Sequence, residues 1–132
     1  GRWPGPCSRP CMGHARQALG LEGETRACLA VEARGYRVMA RRYRTRHGEI
    51  DIVARHDGAI VFVEVKTRRG SVFGDPAAAV TWQKQRRLVA MAVDYLARHH
   101  LERAMVRFDV VEFGRNHPPV ITVIRDAFRP GW

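Results

Sequence analysis

The stretch Gly48-Glu49-Ile50-Asp51-Ile52-Val53-Ala54-Arg55-His56-Asp57-Gly58-Ala59-Ile60-Val61-Phe62-Val63-Glu64-Val65-Lys66 decides the fold. Two runs in which apolar and polar residues alternate flank Asp57-Gly58, and Asp-Gly between such runs is among the strongest short hairpin signals. The spacing predicts two antiparallel strands, Glu49 to Arg55 and Ile60 to Arg68, with a loop centred on Asp57-Gly58. That register sets Asp51 opposite Glu64 and Glu49 opposite Lys66. Side chains alternate along a strand, so all four emerge from one face, while Ile50, Ile52, Ala54, Val61, Val63 and Val65 form core on the other.

Two carboxylates directly opposite on paired strands repel, so stability alone does not account for Asp51 and Glu64. Lys66 supplies one compensating charge. A pair of facing carboxylates also offers the hard oxygen ligands that Mg²⁺ or Mn²⁺ prefers, with water completing the shell. Beside such an ion, Lys66 is placed to position an attacking water or to steady negative charge on a phosphate. The plainer alternative is a solvated strand face, with a Glu49 to Lys66 bridge worth less than about 1 kcal/mol. Against it, the same face continues through the apolar Val53, Ile60 and Phe62.

Working outward, Leu21, Glu24, Cys28 and Val31 advance by helical steps from His14 to Arg34, and Gly35 follows where a left-handed cap belongs. Glu24 is the odd member of that apolar stripe. A carboxylate turned towards a sheet is costly unless paired or bound to metal. Tyr36 to Arg46 alternates as a strand. Asp75-Pro76 reads as an N-cap and first helical residue, opening a long helix to about Arg98. Lys84, four residues from both Val80 and Leu88, projects from that helix's apolar stripe, either snorkelling to solvent or reaching a phosphate with Gln83 beside it. Met105 to Phe113 and Val120 to Arg125 are two more strands, separated by a turn at residues 116–119. The order is αβββαββ, an α/β domain with a mixed central sheet flanked by helices.

Residues 1–13, rich in proline and glycine, read as a disordered leader, and 14–132 as a single domain. Lys and Arg number 23 against 13 Asp and Glu, a formal charge of +10, which favours an anionic partner. No apolar run approaches the roughly 20 residues that span a bilayer, so nucleic acid is the expected partner rather than a membrane. Three cysteines make no disulfide framework, and a reducing cytoplasm is the expected compartment. Cys7, Cys11 and His14 fall short of the four ligands of a structural zinc site.

Gly48-Glu49-Ile50-Asp51-Ile52-Val53, Val61 to Arg68 and Phe73-Gly74-Asp75-Pro76 together resemble the YraN family of small bacterial endonuclease-like proteins. That family is similar to the PD-(D/E)XK nuclease superfamily, which includes restriction endonucleases and archaeal Holliday-junction resolvases. The resemblance runs from about Gly20 to Val111. It implies a restriction-endonuclease-like sheet, with Asp51 as the first aspartate, Glu64 and Lys66 as the Glu-x-Lys pair and Glu24 as the acidic residue of the first helix. Ile50 stands where the superfamily pattern has proline. The implied catalytic set is Asp51, Glu64, Lys66 and Glu24. Of these, Asp51, Glu64 and Glu24 hold Mg²⁺ or Mn²⁺ for hydrolysis of a nucleic-acid phosphodiester, with structured or branched DNA the expected substrate. A resolvase-like activity needs two sites and hence a homodimer.

Arg68 and Arg69 follow the catalytic strand, and Lys84 and Arg87 lie on the helix expected to cover it, so these four are the expected nucleic-acid contacts. Tyr43 and Trp82 are either packed in a core or rim or stacked on bases. Two rival readings share the fold: a non-catalytic nucleic-acid-binding protein and a protein-interaction module.

Overall fold

The computed structural model describes residues 15–68, 80–114 and 120–130. Its elements are α1 (Ala15–Ala33), β1 (Arg37–Thr45), β2 (Gly48–His56), β3 (Ala59–Arg68), α2 (Trp82–Arg98), β4 (Met105–Gly114) and β5 (Ile121–Phe128). The order is αβββαββ, as read from the sequence. The leader, Asp75-Pro76, Arg69 and the turn at 116–119 lie outside the described residues.

Among the described residues, five strands form one mixed sheet in the order β1-β2-β3-β4-β5. Only β3 and β4 run parallel. Parallel neighbours need a crossover connection, and α2 is part of it. The β2–β3 turn is a two-residue hairpin: His56 pairs with Ala59, leaving Asp57 and Gly58 alone in the loop, both at positive φ (49° and 76°). Positive φ at both central residues is the type I′ geometry that matches strand twist, which explains the Asp-Gly pair.

The two helices cover opposite faces. Ala27, Cys28 and Val31 of α1 pack with Ile52, Ala54, Val61 and Val63. Leu88, Met91, Ala92 and Tyr95 of α2 pack with Val53, Ile60, Phe62 and Phe108. Helix α1 ends as the sequence predicts, with Gly35 at φ 89° and the Tyr36 N–H donating to the Val31 carbonyl at 3.0 Å. Helix α2 begins later than predicted. Its cap is Thr81, extended at φ −61° and ψ 158°, whose hydroxyl accepts the Lys84 N–H at 3.2 Å.

One strand-face assignment is corrected. Arg41 pairs with Ile52 and Tyr43 with Ile50, and strict alternation would put both pairs on one side. Instead, the Arg41 guanidinium donates to Thr25 of α1 at 2.9 Å, with Ile52 in the α1-side core, while Ile50 and Tyr43 join the α2-side core. The reversal falls at Arg42 on β1, whose φ of 50° is left-handed, and at Asp51 on β2. A bulky residue in that region costs of order 1 kcal/mol or more, and such strain clusters at functional sites.

At the far end of the sheet lies a polar core the sequence did not reveal. Buried Asp109 accepts the Tyr36 hydroxyl at 2.5 Å, Arg107 at 2.8 and 2.9 Å, and the Asp126 N–H at 2.9 Å. The last bond holds a bulge at Asp126 (φ 53°), through which β5 continues to Phe128 rather than ending at Arg125. Arg107 also donates to His56 Nδ1 at 2.9 Å. A guanidinium only donates, so the His56 ring accepts there and carries its proton on Nε2. This network ties Tyr36 to β4 and β5. We expect Tyr36→Phe, which removes the hydroxyl from Asp109 and Arg107, to cost about 1–2 kcal/mol in a urea unfolding measurement; an unchanged midpoint would show that the network adds nothing to stability.

Candidate active site

The β2–β3 ladder is paired from His56↔Ala59 to Ile52↔Val63 and stops one residue short of the predicted Asp51–Glu64 pair, while the Glu64 charge still acts on Asp51. Here the Asp51 carboxylate itself accepts the Val65 N–H at 2.8 Å, a side chain taking up a β3 backbone donor. Glu64 is 7% exposed and lies on the face covered by α2. Burial first, and then the Glu64 charge, pushes the Asp51 carboxyl up to about 7, against the opposing pull of the Val65 N–H and the Lys84 charge. The carboxylates therefore meet in a desolvated place, and near neutral pH Asp51 is poised between its protonated and ionised forms.

Lys84 is the residue whose role differs most from expectation. Its Nζ lies 2.6 Å from Glu64 Oε1, so it neither snorkels away nor stands free for a phosphate. Four residues before Leu88, it points from the apolar stripe onto the sheet, where Glu64 is the carboxylate in reach. Lys66 is partly buried. Burial first, and then the neighbouring Lys84 charge, lowers its ammonium from the usual lysine range, while Glu64 pulls the other way.

Glu24, 5% exposed, does face the sheet, as its place on the α1 stripe predicts. Arg41 Nε stands 3.6 Å from its Oε1 and Arg42 Nε 3.7 Å from its Oε2. Among the described residues, Oε1 has no hydrogen-bond partner, and neither does Arg41 Nε. Burial raises the Glu24 carboxyl, and the Arg42 and Arg41 charges offset part of that rise. Its negative charge is felt at Asp51. Among the described residues, however, no three Asp, Glu, His or Cys side chains converge in a metal-holding group. Asp51 and Glu64 are a pair, and Glu24 is drawn aside by its arginines.

Glu49 pairs across the other hairpin rather than towards Lys66. Arg44 lies 3.0 Å from its Oε1 and Arg42 3.8 Å from its Oε2. Arg42 thus bridges Glu24 and Glu49, and its left-handed backbone is what turns it between them. The sequence does not mark the part of Arg41 and Arg42, which stand among the other arginines of Arg37 to Arg46. The one clue to their part was Glu24, a buried carboxylate needing counter-charge.

Among the expected nucleic-acid contacts, Arg87 is exposed on α2, Arg68 closes β3, and Arg69 is outside the described residues. Tyr43 packs edge-on to Tyr95, with ring centroids 4.9 Å apart, and belongs to the core. Trp82 is 67% exposed at the start of α2.

Fold and cluster together define a three-layer α/β domain with a desolvated carboxylate pair and two lysines where β2 and β3 part. Residues 23–113, which contain every one of these groups, match the family model described as Uncharacterised protein family UPF0102, and the chain belongs to that family. It is 44% identical over 113 residues to a UPF0102 protein of Rhodococcus opacus, covering 84% of this chain and 96% of that one. A UPF0102 protein of Symbiobacterium thermophilum is 53% identical over 94 residues, 71% of this chain and 80% of its own. One from Myxococcus xanthus is 41% identical over 117 residues, covering 88% and 93%. Among the described residues no helix is long and apolar enough to cross a membrane.

Proposed function

We propose that this is a divalent-metal-dependent nuclease hydrolysing nucleic-acid phosphodiesters, with Asp51, Glu64 and Lys66 as its chemical centre. The observation that carries this reading is the Asp51–Glu64 pair itself. Two carboxylates in one desolvated place, one pushed up to about 7 by burial and by the other's charge, make a site that a divalent cation would relieve. The resemblance of Gly48 to Val53 and Val61 to Arg68 to the PD-(D/E)XK nucleases supports the same assignment.

The residues fit Mg²⁺ or Mn²⁺ through carboxylate oxygens of Asp51 and Glu64. When bound, the ion supplies positive charge and Lewis acidity at the scissile phosphate. The chain's own groups do the rest. Lys66, its ammonium weakened by burial and by Lys84, orients a water towards phosphorus or donates a proton to a phosphate oxygen. Lys84 holds Glu64 in place and neutralises it until substrate and ion arrive. Glu24, fixed by Arg41 and Arg42, is a third negative charge that keeps the field at Asp51 favourable to a cation. Branched DNA remains the proposed substrate on the strength of the resolvase resemblance, together with the homodimer that such an activity needs.

The test is cleavage of end-labelled linear, single-stranded, flapped and four-way-junction DNA with Mn²⁺ as the only divalent ion. Products on at least one substrate, absent with EDTA, support the reading; intact DNA across the set removes it. Binding should also respond to salt, because the chain carries a formal charge of +10. If about three phosphates are contacted, raising salt from about 50 to 200 mM should weaken the complex by about fortyfold. Affinity indifferent to salt would count against a phosphate-dominated interface.

A further inference from the structure

Helix α2 carries a surface that the carboxylate site does not use. Trp82 is 67% exposed, and the Arg86 guanidinium lies over its ring, 4.8 Å from the centroid. On one side, Trp82 and Arg86 border a hollow of about 180 Å³ closed by Phe128, Arg129 and Pro130. On the other, Arg86 borders a second hollow of about 370 Å³ with Gln83, Arg87 and His47, the last from the β1–β2 turn. Arg86 joins the two into one continuous strip.

The charge on this strip runs against the helix's own interests. The first turns of α2 hold Lys84, Arg86 and Arg87 and no acidic residue in the first turn. That end of a helix already carries the positive pole of the peptide dipole, so cations there are unfavourable unless an anion joins them. Exposing an indole of this size also forgoes apolar burial, and its cation–π partner orients the ring rather than covering it. An exposed aromatic beside a basic groove is how sequence-tolerant single-strand binders are built: phosphates lie along the cations and bases stack on the ring. Duplex DNA keeps its bases paired inward and offers an indole nothing to stack on.

We propose that the outer face of α2 binds a single strand of nucleic acid, with phosphates against His47, Arg86 and Arg87 and a base on Trp82. At about 100° per residue, side chains wrap round the helix from Lys84, on Glu64, through Arg87 and Gln83 to Arg86 and Trp82. A strand following that path leads to the carboxylate pair. Resting on the nuclease reading for its final step, this narrows the substrate class to nucleic acid with a single-stranded segment, such as a flap, gap or tail.

The experiment uses the full chain with Trp3→Phe and Trp132→Phe, so that Trp82 is the only fluorophore of its kind. Probes are a twelve-nucleotide oligo-dT, a twelve-base-pair duplex and phosphatidylglycerol vesicles, at one salt concentration and without divalent metal. Oligo-dT should quench Trp82 and bind at least about tenfold tighter than the duplex. By anisotropy with labelled oligo-dT, Trp82→Ala should weaken binding by about tenfold, and Arg86→Ala with Arg87→Ala by a similar factor. Trp82→Phe, which keeps a ring, should recover most of the loss. Duplex binding as tight as oligo-dT, unchanged affinity in Trp82→Ala, or quenching by vesicles and not by oligo-dT each overturns the proposal. Because Glu64→Ala lies outside this surface, strand binding by that variant with no cleavage by the wild type would remove the nuclease reading alone. Cleavage by the wild type without quenching would remove the strand surface alone.

Discussion

Asp51→Asn should lower Mn²⁺-dependent cleavage by about a thousandfold, and Lys66→Ala by about a hundredfold, while oligonucleotide affinity stays within about threefold in both. Removing one charge-stabilising group from a desolvated site typically costs two to three orders of magnitude in rate, and Asp51 carries two roles in the proposal, ion binding and charge. Its replacement is nearly isosteric, and the Asn amide oxygen still accepts the Val65 N–H now held at 2.8 Å, so the β2–β3 junction is preserved. Lys66 is removed from a place where burial and Lys84 already weaken its ammonium, and a thermal melt of Lys66→Ala beside its rate separates any loss of fold from loss of chemistry. Single-turnover rates with saturating protein separate chemistry from grip. Wild-type rates in Asp51→Asn would take the chemistry away from this cluster, whatever the protein binds.

The same substitution has a second, opposite effect on stability, and its pH dependence follows from the raised Asp51 carboxyl. Folding moves this group from an ordinary value of 3.8 to about 7. The native protein therefore binds the proton more tightly than the unfolded chain, and stability contributed by that proton is lost as pH rises from about 4 to about 7. Above that range both states are ionised, and the native state bears the full cost of a charge desolvated beside Glu64. One unit corresponds to about 1.4 kcal/mol, and with solvent reaching part of the side chain the cost is on the order of 2 kcal/mol. Without metal, Asp51→Asn should melt roughly 5 °C above the wild type at pH 8, with the gap closing towards pH 4 to 5. A variant less stable than the wild type at pH 8 would mean that Asp51 holds the strands together as an anion.

The hairpin was legible because its signals are local. Asp-Gly selects the turn, the turn fixes the register, and the register brings Asp51 to Glu64 before any tertiary contact is considered. Glu24 was legible for a related reason: a carboxylate on an apolar helical stripe has only the sheet to face. The side on which Ile50 packs was not legible, since it depends on a left-handed Arg42, a conformation that arginine's chemistry does not announce. Lys84 was ambiguous because a lysine on a stripe can snorkel, and only the packing of α2 over β3 brings it to Glu64. Asp109 sits between Phe108 and Val110 in a strand that reads as apolar, with partners as distant in sequence as Tyr36, so nothing near it marked a buried acid. Local chemistry carried the site's two carboxylates; its counter-charges came from the packing.

The central claim is that Asp51 and Glu64 together hold a divalent ion, and calorimetric titration of Mn²⁺ at pH 8 tests it without a substrate. The wild type should bind a single ion at sub-millimolar concentration, and Glu64→Gln, which keeps shape and removes one charge, should bind at least about tenfold more weakly. Superimposable isotherms for the two proteins, or no binding by the wild type, would contradict the account.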